Sequence, residues 1–148
     1  MELASIIIAL LSAIISFGTY YKTFRYEKRK ATIESFNILQ NEVLDKFVCI
    51  KKENADMIVE NLDNTQCKEA YDDYRTLIAR LEQFAVGVNK NIYDYKVVDM
   101  IAGRHLICLY IKIKPIIDKA NEREELIVHY KNFVELVERL DFKHKIIN

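Results

Sequence analysis

The first apolar run of the chain, LASIIIALLSAIISFGTYY from Leu3 to Tyr21, holds nineteen residues without a charge. At 1.5 Å per residue this predicts a helix of about 28 Å, close to the ~30 Å hydrocarbon core of a bilayer. A buried core helix seldom stays uncharged for so long, and a secretory leader wants basic residues ahead of its apolar run, where this chain has only Glu2. The segment is expected to span a membrane. Beyond it the pattern changes. Ile33, Phe36, Leu39, Val43, Phe47 and Ile50 recur every three or four positions, which is one face of a helix, and this spacing outweighs the strand propensity of Ile and Val. No glycine or proline falls between Gly18 and Gly87, so nothing local stops the membrane helix from running straight into this one.

The same pattern predicts the remaining elements. A break is expected around Asn54-Ala55-Asp56, then a short helical piece from Met57 to Leu62, with cap and turn chemistry at Asp63-Asn64-Thr65. Tyr71, Tyr74, Ile78, Leu81, Ala85 and Val88 mark a third amphipathic helix that Gly87 to Asn91 can close, and Asp94 is placed to cap the next. That helix, about Tyr95 to Lys119, is apolar on more than one face, but Asp99, Arg104 and Lys112 forbid a second span. It is a central core helix or an oligomer contact, and Pro115 kinks or ends it. Asn121 with Glu124 resembles a capping box ahead of a last helix carrying Leu126, Ile127, Tyr130, Phe133, Val137 and Leu140. The expected fold class is all-α: an N-terminal transmembrane helix with its collar over residues 1–30, then a cytosolic bundle of four to five helices over residues 31–148, assembled as a homo-oligomer.

Composition supports this. Three glycines and one proline in 148 residues disfavour a turn-rich fold. Twenty-two basic against twenty-two acidic residues leave no net charge, so any basic site is local. The charges are unevenly placed, with Lys22, Arg25, Lys28, Arg29 and Lys30 following the apolar run and a mildly acidic remainder. By the positive-inside rule the carboxyl side is cytoplasmic and the amino terminus outside, as in a single-pass protein of a bacterial inner membrane. Tyr20, Tyr21, Phe24 and Tyr26 set aromatic rings at the headgroup level. Cys49, Cys67 and Cys108 lack CxxC spacing and read as reduced thiols.

Catalytic chemistry is not encoded in any recognisable form: a P-loop, GxGxxG, HExxH and GxSxG are all missing, and no enzyme activity, cofactor or metal is expected. His105 with Cys108, and Glu125 with His129, each supply two ligands on a helix face, which do not make a metal site. Two features carry more. Ser5, Ala9, Ser12, Ser16 and Thr19 fall at steps of four, three, four and three, a stripe of small residues that either packs helix on helix or, turned inward in an oligomer, lines a narrow water path with Glu2 at its outer mouth. Basic and aromatic residues mix around Arg75, Arg104, His105, Tyr110 and Lys112, which suits a nucleotide ligand, although charges on amphipathic helices usually form a solvated face.

From Arg80 to Ile117 the chain resembles a group of small bacterial proteins of unknown function with one N-terminal membrane helix and a helical cytosolic body. The shared features are Glu82, Ala85 and Gly87 on one helix, an acidic cap at Asp94, and a long following helix. More narrowly it resembles the membrane effectors of the Hailong anti-phage defence system. That resemblance implies a tetrameric channel-like protein held shut by single-stranded oligodeoxyadenylate, which a partner nucleotidyltransferase makes, and opened when the ligand is lost. The expected function is then ligand-gated depolarisation of the membrane in abortive infection. The other reading is a membrane-tethered interaction module that recruits a cytosolic partner.

Overall fold

A computed structural model describes residues 2–47, 51–123 and 129–147, and every regular element among them is helical. Helix α1 (Glu2–Leu39) passes through a π-helical turn (Gln40–Leu44) into the short α2 (Asp45–Phe47); α3 (Lys52–Glu60), α4 (Thr65–Asn89), α5 (Tyr95–Arg123) and α6 (Lys131–His144) follow. At 1.5 Å per residue α1 alone is a rod of about 57 Å. Its two halves have different surroundings. Every side chain from Ser5 to Tyr26 is exposed, whereas Thr32, Phe36, Leu39, Val43, Leu44 and Phe47 are buried in the bundle. The membrane-type helix therefore runs unbroken into the body, as the absence of Gly and Pro allows. Ile50, which extends the apolar pattern, lies outside the described residues.

Within the π turn the consecutive residues Val43 and Leu44 are both buried. Phe36 then meets Phe84 with ring centroids 6.1 Å apart, and Phe47 stacks on Tyr74 at 5.6 Å. Helix α5 is the centre of the bundle, contacting α1, α3, α4 and α6, and it buries Val98, Leu106, Ile107, Ile113, Ile116 and Ile117. Pro115 neither ends nor caps it. The proline sits inside a helix that continues to Arg123 and leaves one turn without its N–H donor.

Three boundaries differ from expectation. Residues 54–56 are helical, because Ala55 and Ile58 form the buried face of α3; the chain is instead extended at Lys51, whose carbonyl accepts from Asn54 and Ala55. Asn121 does not cap the last helix: it lies within α5, and its side-chain oxygen accepts the His129 N–H at 2.7 Å. Helix α6 begins at Lys131, beyond Leu126 and Ile127, which with Glu124 and Glu125 lie outside the described residues.

The cap of α6 comes from another helix. Tyr130 enters it in the left-handed conformation with no side-chain cap, and the open N–H groups of Asn132 and Phe133 donate to the Glu82 carboxylate of α4 at 3.1 and 2.7 Å. Asn132 Nδ2 adds a third bond at 2.7 Å. A negative group at a helix start satisfies orphan donors and meets the positive end of the dipole. We expect Glu82→Ala to lower stability by about 1–2 kcal/mol, the usual worth of a cap, and Glu82→Gln to retain part of it, as read by urea unfolding in detergent.

Candidate functional site: the helix junction and the outer face of α5

Where α1 meets the bundle, three of its residues hold the corner between α4 and α5. Helix α4 ends in a paired closing turn in which Asn91 takes the left-handed conformation, the Ile92 N–H donates to the Gly87 carbonyl at 2.9 Å and the Asn91 N–H to the Val88 carbonyl at 3.0 Å. Asn91 thus closes the helix, and Gly87 serves another purpose. A Cβ on Gly87 would lie 2.4 Å from the Tyr93 ring, which lies across this glycine and stacks on Phe84.

Asp94 caps α5 as the sequence predicts: its carbonyl accepts from Val97 and Val98, and its Oδ1 from the Lys96 N–H at 3.0 Å. The Asp94 N–H donates in turn to Thr32 Oγ1 at 2.8 Å, and that hydroxyl donates to the Lys28 carbonyl at 2.7 Å. Lys28 Nζ reaches Asn91 Oδ1 at 2.6 Å, and Arg29 Nε lies 3.4 Å from Asp94 Oδ2. Thr32 is fully buried, and its hydroxyl, using both donor and acceptor, satisfies a half-buried backbone N–H that nothing apolar could serve. The basic collar is thereby part of the fold.

A second cluster closes the same end. Asp99 of α5 is 7% exposed at its side chain, and it takes the Lys143 ammonium on one oxygen and His144 Nε2 on the other at 2.6 Å. Burial alone would raise the Asp99 pKa, but the hydrogen bonds and charges of Lys143 and His144 prevail and hold it below the ordinary aspartate range. The same contact raises Lys143. Gly103 leaves the room: a Cβ there would sit 2.9 Å from Asp99 Oδ1 and 3.0 Å from His144 Nε2.

The sequence-predicted ligand residues separate into three places. Arg104, His105 and Lys112 share the outer face of α5 with Cys108 and line a groove of about 450 Å³ floored by Leu109 and by Phe47. Among the described residues no acid lines this groove. Arg104 and His105 also border the adjoining cleft of about 840 Å³ at Lys96, Met100 and Ile101. Tyr110 faces elsewhere, edge-on to Phe133 at 6.3 Å, in a cleft of mixed charge with Lys114, Asp118 and Glu138. Arg75 lies on α4 with its guanidinium 5.9 Å from the Tyr71 ring centre. Ser5, Ala9, Ser12, Ser16 and Thr19 are all exposed along α1, and Thr19 Oγ1 donates to the Ile15 carbonyl at 2.9 Å. Among the described residues no group of three metal-ligating side chains comes together. Thr32, Lys28 and Asn91 were not singled out by spacing; the legible signal is that Thr32 lies on the stripe of Phe36 and Leu39.

These features define an all-helical protein in which one amino-terminal helix, long and apolar enough to cross a membrane, is continuous with a helical bundle. The chain belongs to the family of a domain of unknown function, DUF4760, whose model matches residues 2–140. The match takes in the exposed apolar helix and the bundle as one unit. No curated protein and no solved structure matches the chain.

Two predictions follow from the junction. Thr32→Val strands the Asp94 N–H and is expected to cost about 1–3 kcal/mol, whereas Asp94→Asn keeps a capping oxygen and loses only an exposed ion pair, costing about 0–1 kcal/mol; thermal unfolding of the two variants checks the order. For Asp99, a depressed folded pKa means stability that is complete above the unfolded pKa and lost as pH falls through the folded one. The wild type should therefore lose stability more steeply than Asp99→Asn below about pH 4, measured by denaturant midpoints across an acid series.

Proposed function

We propose that this protein is a subunit of an oligomeric, ligand-gated membrane channel, with its amino terminus outside a bacterial inner membrane and its bundle in the cytoplasm. The observation that supports this most is the wholly uncovered apolar half of α1, continuous with a buried half locked into the bundle. Helices in lipid associate through close packing of small residues, and the Ser5 to Thr19 stripe offers such a face to copies of itself. In a pore the same stripe turns its hydroxyls to water. A rod that passes from bilayer to core carries any rearrangement of the bundle to the span.

The ligand of this reading is a short anionic strand, in line with the resemblance to the Hailong effectors, where a tetramer is closed by oligodeoxyadenylate from a nucleotidyltransferase. The groove of Arg104, His105 and Lys112 suits it in charge, and Phe47 at its floor belongs to the tail of the α1 rod. Occupancy there bears on α1 directly and biases one packing of the spans over another. Loss of the ligand opens the path and depolarises the cell during phage infection. No catalytic step, cofactor or metal enters the scheme.

The second reading, a tether that recruits a partner through its bundle, is favoured by the exposed apolar pair Met100 and Ile101 beside the basic groove. Ion flux from liposomes carrying the full-length protein separates the two. A channel conducts, is suppressed by short oligodeoxyadenylate, and loses conductance on Ser12→Leu with Ser16→Leu. A stable oligomer without flux in any condition contradicts the channel and leaves the tether.

A further inference from the structure

The α4–α5 corner presents a charged and apolar tip whose place relative to α1 is fixed. In the turn that closes α4, the apolar residue two beyond the cap ordinarily packs back on the residue three before it. Here those residues are Ile92 and Gly87, and the space over Gly87 is filled by the Tyr93 ring. Ile92 is turned outward and is 62% exposed, on a backbone whose N–H groups are already satisfied. Lys90 and Lys96 flank it, both exposed. The acids nearest the corner are occupied, Asp94 by Arg29 and Asp99 by Lys143 and His144.

The clasp sets the height of this tip. Lys28 holds Asn91, and Lys28 lies about 10 Å along the helix beyond Tyr21, where the apolar run ends. The polar layer of a bilayer is about 5–8 Å deep on each side, and the field of an anionic leaflet reaches roughly 8 Å further at physiological salt. A tip held at the level of Lys28 therefore lies within reach of that field.

We propose that the α4–α5 corner is a second membrane contact, in which Lys90 and Lys96 bind the anionic headgroups of the leaflet that α1 leaves and Ile92 enters the interfacial layer. This rests on α1 spanning the bilayer with its basic collar on the side of the bundle. Two attachment points, one through the membrane and one upon it, fix the tilt of the bundle beneath the bilayer.

The chain has no tryptophan, so Ile92→Trp in the full-length protein is a single reporter of the corner, and Phe17→Trp in a separate variant reports the span. Both are reconstituted in vesicles of phosphatidylcholine alone or with phosphatidylglycerol, with nitroxide quenchers at shallow or deep positions. The expected result is a blue-shifted Ile92→Trp emission, quenched by the shallow label in the anionic vesicles only. Adding Lys90→Gln and Lys96→Gln should weaken this preference by roughly 10- to 30-fold. Equal quenching of Ile92→Trp in both vesicle types, or none in either, overturns the proposal while Phe17→Trp is still quenched by the deep label. Failure of the Phe17→Trp signal instead removes the span itself, and the surface contact with it.

Discussion

The hydrogen bond from the Asp94 N–H to Thr32 Oγ1 is the point through which the apolar rod and the bundle become one body. It joins the first buried residue of α1 to the cap of the central helix α5, at the level where α1 passes from wholly exposed to buried side chains. Above it, every side chain of α1 from Ser5 to Glu27 is exposed. Below it, Phe36, Leu39, Val43 and Phe47 are each almost fully buried, so the direction in which α1 leaves the bundle is set by core packing as well as by one hydroxyl. A protein that works by moving its span must move this junction.

Two helix starts in this bundle are satisfied across the tertiary structure, beside the local caps at Asn64 and Asp94. Glu82 of α4 caps α6, and Thr32 of α1 accepts the N–H of Asp94, the cap residue of α5. Such bonds stabilise only when the helices are assembled, which ties helix formation to packing and makes the bundle cooperative. Asp99 adds an electrostatic lock between α5 and α6 at the end nearest the collar.

Which parts of this were legible in the sequence follows from the range of the interactions. The apolar run of α1, the α4 and α5 faces, the cap at Asp94 and most core positions come from periodicity and from bonds between residues a few positions apart and appear as expected, whereas Ile33, on the predicted apolar face, is exposed. The cap expected at Asn121 fails because its oxygen is taken by His129 eight residues on, and the cap at Glu82 escapes notice because its donors lie fifty residues away. Pro115 is an interior residue of α5, at a place where local rules predict a kink or an end. In the candidate site, the shared face of Arg104, His105 and Lys112 follows from helical spacing, whereas the separation of Tyr110 and Arg75 from it depends on which way each helix turns in the bundle.

The exposed apolar half of α1 and the bundle are joined by one unbroken helix through the collar. Hydrogen exchange of the backbone amides from Lys22 to Leu39, followed in lipid on the full-length protein, tests this most directly. Continuous protection through Thr32, comparable with that of the buried turn at Phe36, is the expected result. A window of fast exchange between about Tyr26 and Ala31, with protected residues on both sides, would show a hinge where the account requires a rod.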